Sequence, residues 1–301
     1  MPNPTLSSMT SRTDYDNEST LLDYLGGQLA LGNLCLVLGA GVSNSIGLMG
    51  WEDLLVDMFD KKGGSLQSGR PLESEAERFR LKYYNGDNGG FVDAIRQSLY
   101  DGISVNFKDL RKNDTLAAIG ALVMSSIRGS ASEVITFNFD NLLEMYLEYH
   151  GFVTNSVTEP RHWAGKSDVT IIHPHGFIPN DKDIGDSSEV VFDQRSFAST
   201  IGDEANLWRQ KVATLLRTHT CIFIGLSGDD LNLDSILLTC KQNHAGLESR
   251  TAFWGISFTT SPETFVKERW EARGVYCKRI DTYDVIPDFL FKICQLATIS
   301  R

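Results

Sequence analysis

The chain has 301 residues, of which 42% are hydrophobic and 22% charged, and its formal net charge is -11. That apolar share is enough for one large core, with or without a small satellite. The acidic surface repels a phosphate backbone and argues against direct DNA or RNA binding, and no run reaches the roughly 20 apolar residues of a membrane span.

Residues 1–18 are polar and lack the apolar stretch of a secretory signal, so a mobile tail is expected there, with residues 19–301 folded. The segment from Leu21, LLDYLGGQLALG, has helical character weakened by Gly26 and Gly27. LCLVL, Leu34 to Leu38, is a continuous apolar run of the kind buried on both faces of a parallel sheet, and it ends in the glycine loop GAGVS. WEDLLVDMFD follows with Trp51, Leu54, Leu55 and Met58 at helical spacing.

Residues 61–132 carry helix signals only, the last of them TLAAIGALVMSSI behind a cap expected at Asp114. A helical insertion over about 61–132, forming a small second subdomain beside the sheet, is the expectation. Strands and helices then alternate. EVITFNF precedes DNLLEMYLEYH, a helix expected to begin at Asp140; VTIIHPHG is apolar and extended; EVVF has the composition of a short strand. NLWRQKVATLLR leads into TCIFIGLSGDD, and TAFWGIS and VYCKRI each come before a helix. This alternation predicts an α/β fold, a doubly wound (Rossmann-like) parallel sheet.

In such a sheet the ligand crevice lies at the carboxyl ends of the strands. Gly39 and Gly41 follow the first strand directly, where glycine and a helix N-terminus suit a pyrophosphate, and the Ser43 hydroxyl adds a donor. An ordinary tight turn uses the same residues. The third glycine of the usual dinucleotide fingerprint is replaced by Asn44, which disfavours a standard NAD dehydrogenase. The five cysteines, Cys35, Cys221, Cys240, Cys277 and Cys294, show no C-x-x-C spacing and read as reduced core thiols of a cytoplasmic protein.

Four blocks, GAGVSNSIGL, FNFD, PHG and GLSGDD, stand in the order and setting of the conserved blocks of the sirtuin family, and the chain resembles that family from residue 39 to 230. The resemblance implies NAD as substrate. It assigns Gly39, Ala40, Gly41 and Ser43 to the phosphates, and Gly225, Ser227, Asp230 and Asn232 to the adenosine side. It implies that His175 is a base, that Asn138 holds a water or a ribose hydroxyl, and that Asp140 orients the nicotinamide end or the Asn138 loop. The residue types suit the chemistry: departure of nicotinamide passes through an oxocarbenium-like ribose, and an imidazole near neutral pKa takes the proton. A turn or helix-capping role remains open for Asp140 and for Asp230 with Asn232. His173 points to the other side of an extended chain from His175 and reads as structural, and His162 with Trp163 reads as a surface loop.

Sirtuin deacylases carry a zinc held by two C-x-x-C pairs after the histidine. Residues 177–224 hold only Cys221, so no zinc is expected. The zinc-free form with Trp51 soon after the loop resembles the sirtuin-like domains of bacterial anti-phage defence. That likeness implies an NAD hydrolase releasing ADP-ribose and nicotinamide, working as a homo-oligomer or with a partner such as a HerA-type ATPase or a short Argonaute. An NAD-dependent protein deacylase and a non-catalytic NAD or ADP-ribose sensor are the alternatives.

Overall fold

The computed structural model describes residues 9–103, 105–124, 130–159, 166–187, 190–201, 205–228, 231–244 and 251–299. Seven strands form one sheet: β1 (Leu34–Leu38), β2 (Glu133–Thr136), β3 (Thr154–Val157), β4 (Val169–Ile172), β5 (Thr220–Ile224), β6 (Gly255–Thr259) and β7 (Val275–Arg279). Their order is β3-β4-β2-β1-β5-β6-β7, and every pairing is parallel. From β1 the chain builds first toward β2 and then, after β4, crosses to β5 on the other side. The order therefore reverses at β1, and the crevice expected at such a reversal opens at the carboxyl ends of β1, β2 and β5.

Strand side chains alternate between two apolar cores. Leu34, Leu36, Leu38 and Val134 enter one with the helices Trp51–Lys61, Leu72–Tyr84, Asn88–Leu99, Asp114–Met124 and Ile286–Ile299. Cys35, Val37, Ile135 and Phe223 enter the other with Val212, Leu216 and Leu237 from the helices Leu207–Thr218 and Leu231–His244. Burial on both faces explains why LCLVL and TCIFI are unbroken apolar runs.

Among the described residues, all elements between β1 and β2 are helical, and Phe59, Phe79, Phe91 and Ile95 join the same core as β1. Inside the stretch expected as a tail, Met9 bridges to Thr251, and Tyr15, on the short helix Arg12–Asp16, is buried with its hydroxyl donating to Phe253 O at 2.6 Å. The Gly26-Gly27 pair does not break the helix Glu18–Ala30; a Cβ at Gly26 would stand 2.8 Å from Leu296 Cβ, so glycine permits that helix to press on Ile286–Ile299. The helix from Asp114 is capped one residue earlier than expected: Asn113 Oδ1 accepts from Leu116 N–H at 2.8 Å. Val190–Phe192 is not a strand. Among the described residues, no helix is long and apolar enough to cross a membrane.

Candidate active site

The loops after β1 and β5 are pressed together. Gly39 precedes the five-residue helix Ala40–Asn44 and donates its N–H to Ile224 O at 2.9 Å, while Gly41 N–H reaches Gly225 O at 3.0 Å. A Cβ at Gly39 would fall 2.6 Å from Gly225 O, and one at Gly41 would fall 2.7 Å from Gly225 Cα. Gly225 itself has φ +72°, and its Cβ would lie 2.6 Å from Val42 N. Loop-on-loop contact is thus the first reason for these glycines, and Gly41 gives its N–H to the neighbouring loop. Gly225→Ala combines left-handed strain with a backbone clash. We expect a loss of about 1–3 kcal/mol, read from the urea midpoint at unchanged slope.

The loop after β2 adds a polar chain to this floor. Asn138 Nδ2 donates to Gly39 O at 3.1 Å and to Ser43 Oγ at 2.9 Å, and the Ser43 hydroxyl donates onward to Asp140 Oδ2 at 2.7 Å. Asp140 Oδ1 accepts from Leu142 N–H at 3.1 Å, so this carboxyl also caps the helix Leu142–Tyr149, which starts two residues later than expected. The Asp140 carboxylate thus bonds both to the Ser43 hydroxyl and to the first residue of that helix.

Burial pushes the Asp140 carboxyl above its ordinary range, against the Ser43 and Leu142 donors that pull it down. A carboxyl raised in the folded state binds its proton to higher pH than the unfolded chain does. Its contribution to stability therefore declines as pH rises from the ordinary carboxylate range through the raised value. Asp140→Asn keeps an acceptor for Ser43 and removes this dependence. The stability of the wild type relative to that variant is expected to fall across the same window in urea titrations at stepped pH.

His175 follows β4 and is buried, its ring 4.8 Å from Phe137 and 5.6 Å from Phe197 in edge-on contacts. Its carbonyl accepts from Val191 N–H at 2.7 Å. Val191 and Phe192 of the EVVF segment are therefore buried where Val191 holds the backbone of His175 and Phe192 meets Trp51 at 5.9 Å, and Val190–Phe192 does not pair in the sheet. Trp51 in turn stacks on Phe197 at 5.5 Å.

These groups share one cavity of about 480 Å³, within the usual range for a small-molecule site. Gly39, Ala40, Ser43, Asn138, Asp140, His175, Gly225 and Ser227 all line it, and Gly41, exposed, bonds to the lining residue Gly225. Asn232 is in the helix Leu231–His244; Asp230, His162 and Trp163 lie outside the described residues. Sequence reasoning did not single out the aromatic wall formed by Trp51, Phe192 and Phe197. Trp51 gave a helical-spacing signal and a place in the family resemblance but no role in a pocket, and Phe197 gave none.

Two buried pairs brace the site from behind. His173 is fully buried; its Nε2 lies 2.7 Å from Glu144 Oε1 and its Nδ1 3.3 Å from Asn138 O. Arg80, from the helix Leu72–Tyr84, forms an ion pair with Asp193 at 2.6 Å, each side chain 7% exposed. Asp193 accepts from Ser196 N–H at 2.9 Å at the start of the helix Gln194–Ile201, which carries Phe197.

Parts of this chain are similar to known proteins. Residues 132–277 match the model of the SIR2-like domain. Two curated relatives are both named NAD(+) hydrolase ThsA. The one from Enterococcus faecium is 25% identical over 209 residues, covering 68% of this chain and 39% of its own. The one from Bacillus cereus (strain MSX-D12) is 26% identical over 208 residues, with the same two coverages of 68% and 39%. The chain thus spans about two fifths of the length of the curated relatives it matches. A solved structure from work on the mechanism and regulation of Sir2 enzymes aligns over 92% of this chain and 97% of its own, at 12% identity and a TM-score of 0.44. The stretch that matches the SIR2-like domain, residues 132–277, carries Asn138, Asp140, His175 and Gly225.

Proposed function

We propose that this chain is an NAD hydrolase that cleaves the nicotinamide–ribose bond, giving nicotinamide and ADP-ribose. The observation that carries the reading is the shared cavity, in which Asn138 and His175 meet the glycine loops of β1 and β5. The name of the two relatives, NAD(+) hydrolase, supports the same chemistry.

In this reading the bond between the ribose anomeric carbon and the pyridinium nitrogen breaks, and its electron pair neutralises the ring. A water oxygen bonds to the anomeric carbon, and His175 accepts the proton that water loses. Both amide protons of Asn138 are already engaged by Gly39 O and Ser43 Oγ, so its carboxamide oxygen remains as the acceptor for that water or for a ribose hydroxyl. Asp140 works through Ser43 and holds the amide in this orientation. The β1 loop with Ser43, the β5 loop with Ser227, and Asp230 and Asn232 take the phosphates and the adenosine. The enzyme acts in the cytoplasm without zinc, as a homo-oligomer or with a second defence protein such as a HerA-type ATPase or a short Argonaute, and it depletes NAD.

Chromatography of NAD incubated with the purified chain, alone and with candidate activators, tests this. Nicotinamide and ADP-ribose in equal amounts, with no acylated peptide present, are the expected products. Release that depends on an acyl-lysine peptide would make the chain a deacylase, and saturable NAD binding with no turnover would make it a sensor.

A further inference from the structure

We propose that His173 and Glu144 form a buried positioning dyad that fixes Asn138 through its backbone carbonyl, with the His173 ring protonated on both nitrogens. This rests on the reading above for its kinetic consequence, but not for its proton count.

The geometry begins with what faces the ring. Nε2 lies 2.7 Å from a Glu144 carboxyl oxygen, and Nδ1 lies 3.3 Å from the carbonyl of Asn138. With Glu144 ionised, both facing atoms are acceptors, whereas a neutral imidazole has a single N–H. A ring with one proton would leave one nitrogen lone pair against an oxygen lone pair in a site where His173 is 0% exposed and Glu144 4%. An imidazolium beside a carboxylate satisfies both contacts and leaves the pair neutral overall, which burial favours. Glu144 is itself tied down, since its Oε1 also accepts from Ser156 Oγ of β3 at 3.1 Å. The ring is further held edge-on to Phe177 at 4.8 Å.

The dyad thereby links three elements, β3, the helix Leu142–Tyr149 and the chain leaving β4, to one atom of the loop after β2. That atom belongs to the residue whose amide reaches the β1 loop. The carbonyl is engaged from below by His173 and the side chain from the front by Gly39 and Ser43, so the peptide of Asn138 is fixed at both ends. Misplacement of such a group by a change outside the reacting shell lowers turnover more than binding. The other titratable groups set near the dyad are Asp140 and Tyr100, whose charged forms interact with it. Burial pushes both above their ordinary values, and the Tyr100 hydroxyl donates to Ile178 O at 2.9 Å.

Nitrogen-15 spectra of the His173 ring in the whole chain, with Glu144→Gln as comparison, test the proton count without any turnover. Both nitrogens protonated near neutral pH in the wild type, and loss of the second proton at lower pH in Glu144→Gln, are expected. A bare nitrogen at either ring position in the wild type overturns the proposal whether or not NAD is hydrolysed. Where the wild type releases nicotinamide, Glu144→Gln and His173→Gln are expected to lower kcat by roughly 10- to 100-fold with KM changed little, and in Glu144→Gln the alkaline limb of the rate profile is expected to move to lower pH. Wild-type kcat in both variants would overturn the dyad alone, while absence of release from the wild type, with the ring doubly protonated, would overturn only the hydrolase reading.

Discussion

His175→Ala and Asn138→Ala are each expected to abolish measurable nicotinamide release from NAD, in proteins that still fold. A positioned general base contributes on the order of 10²- to 10⁴-fold, and the alanine at 175 leaves no group to take the proton. The change gives up edge-on ring contacts with Phe137 and Phe197, while the backbone of residue 175 stays bonded to Val191. Asn138→Ala removes two hydrogen bonds, to Gly39 O and Ser43 Oγ, each a net contribution of about 1 kcal/mol. Its melting temperature is therefore expected to fall by several degrees. Retention of wild-type turnover by both variants would remove these residues from the chemistry.

Arg80→Met is expected to produce the largest loss of stability of any single change away from the cavity, about 3–5 kcal/mol. It leaves Asp193 as an uncompensated buried charge, and it also removes guanidinium contacts to Gly86 O at 3.1 Å and Asn88 Oδ1 at 3.3 Å. The effect reaches the site because Asp193 begins the helix that holds Phe197 against His175. A double variant, Arg80→Met with Asp193→Asn, separates the two contributions: asparagine can still accept from Ser196 N–H, and the stranded charge is gone. Recovery of part of the lost stability in that double variant is the expected result of a denaturation cycle, whereas simple addition of the two single losses would show that the pair is not coupled.

The sheet was legible because its central strands are buried on both faces. LCLVL and TCIFI can be nothing else once helices are required on either side, and their exits through glycine located two of the site loops. The edge strand β3 was not legible: Thr154–Val157 reads TNSV, is mostly half-buried and pairs only with β4, so neither hydrophobic alternation nor an apolar run marks it. EVVF misled for the opposite reason, since Val191 and Phe192 are buried at the cavity and the Val191 backbone bonds to His175. Polar residues of the site could be found by type and order along the chain. The aromatic wall could not, because Trp51 and Phe197 are separated by 145 intervening residues and meet only through the fold. The same is true of Arg80 with Asp193 and of Glu144 with His173, whose pairing depends on tertiary contact and leaves no local pattern. His173 and His175 stand in a turn closed by Gly176 N–H to His173 O at 3.1 Å, not along an extended chain, and the hold of His173 on Asn138 was visible only in three dimensions.

Hydrogen exchange of the His175→Ala protein with and without saturating NAD tests most directly whether four strand-end loops enclose one dinucleotide. Joint slowing of amides in residues 39–43, 137–140, 173–176 and 224–228 is the predicted result. Protection confined to one of these segments, or found only elsewhere in the chain, would contradict it.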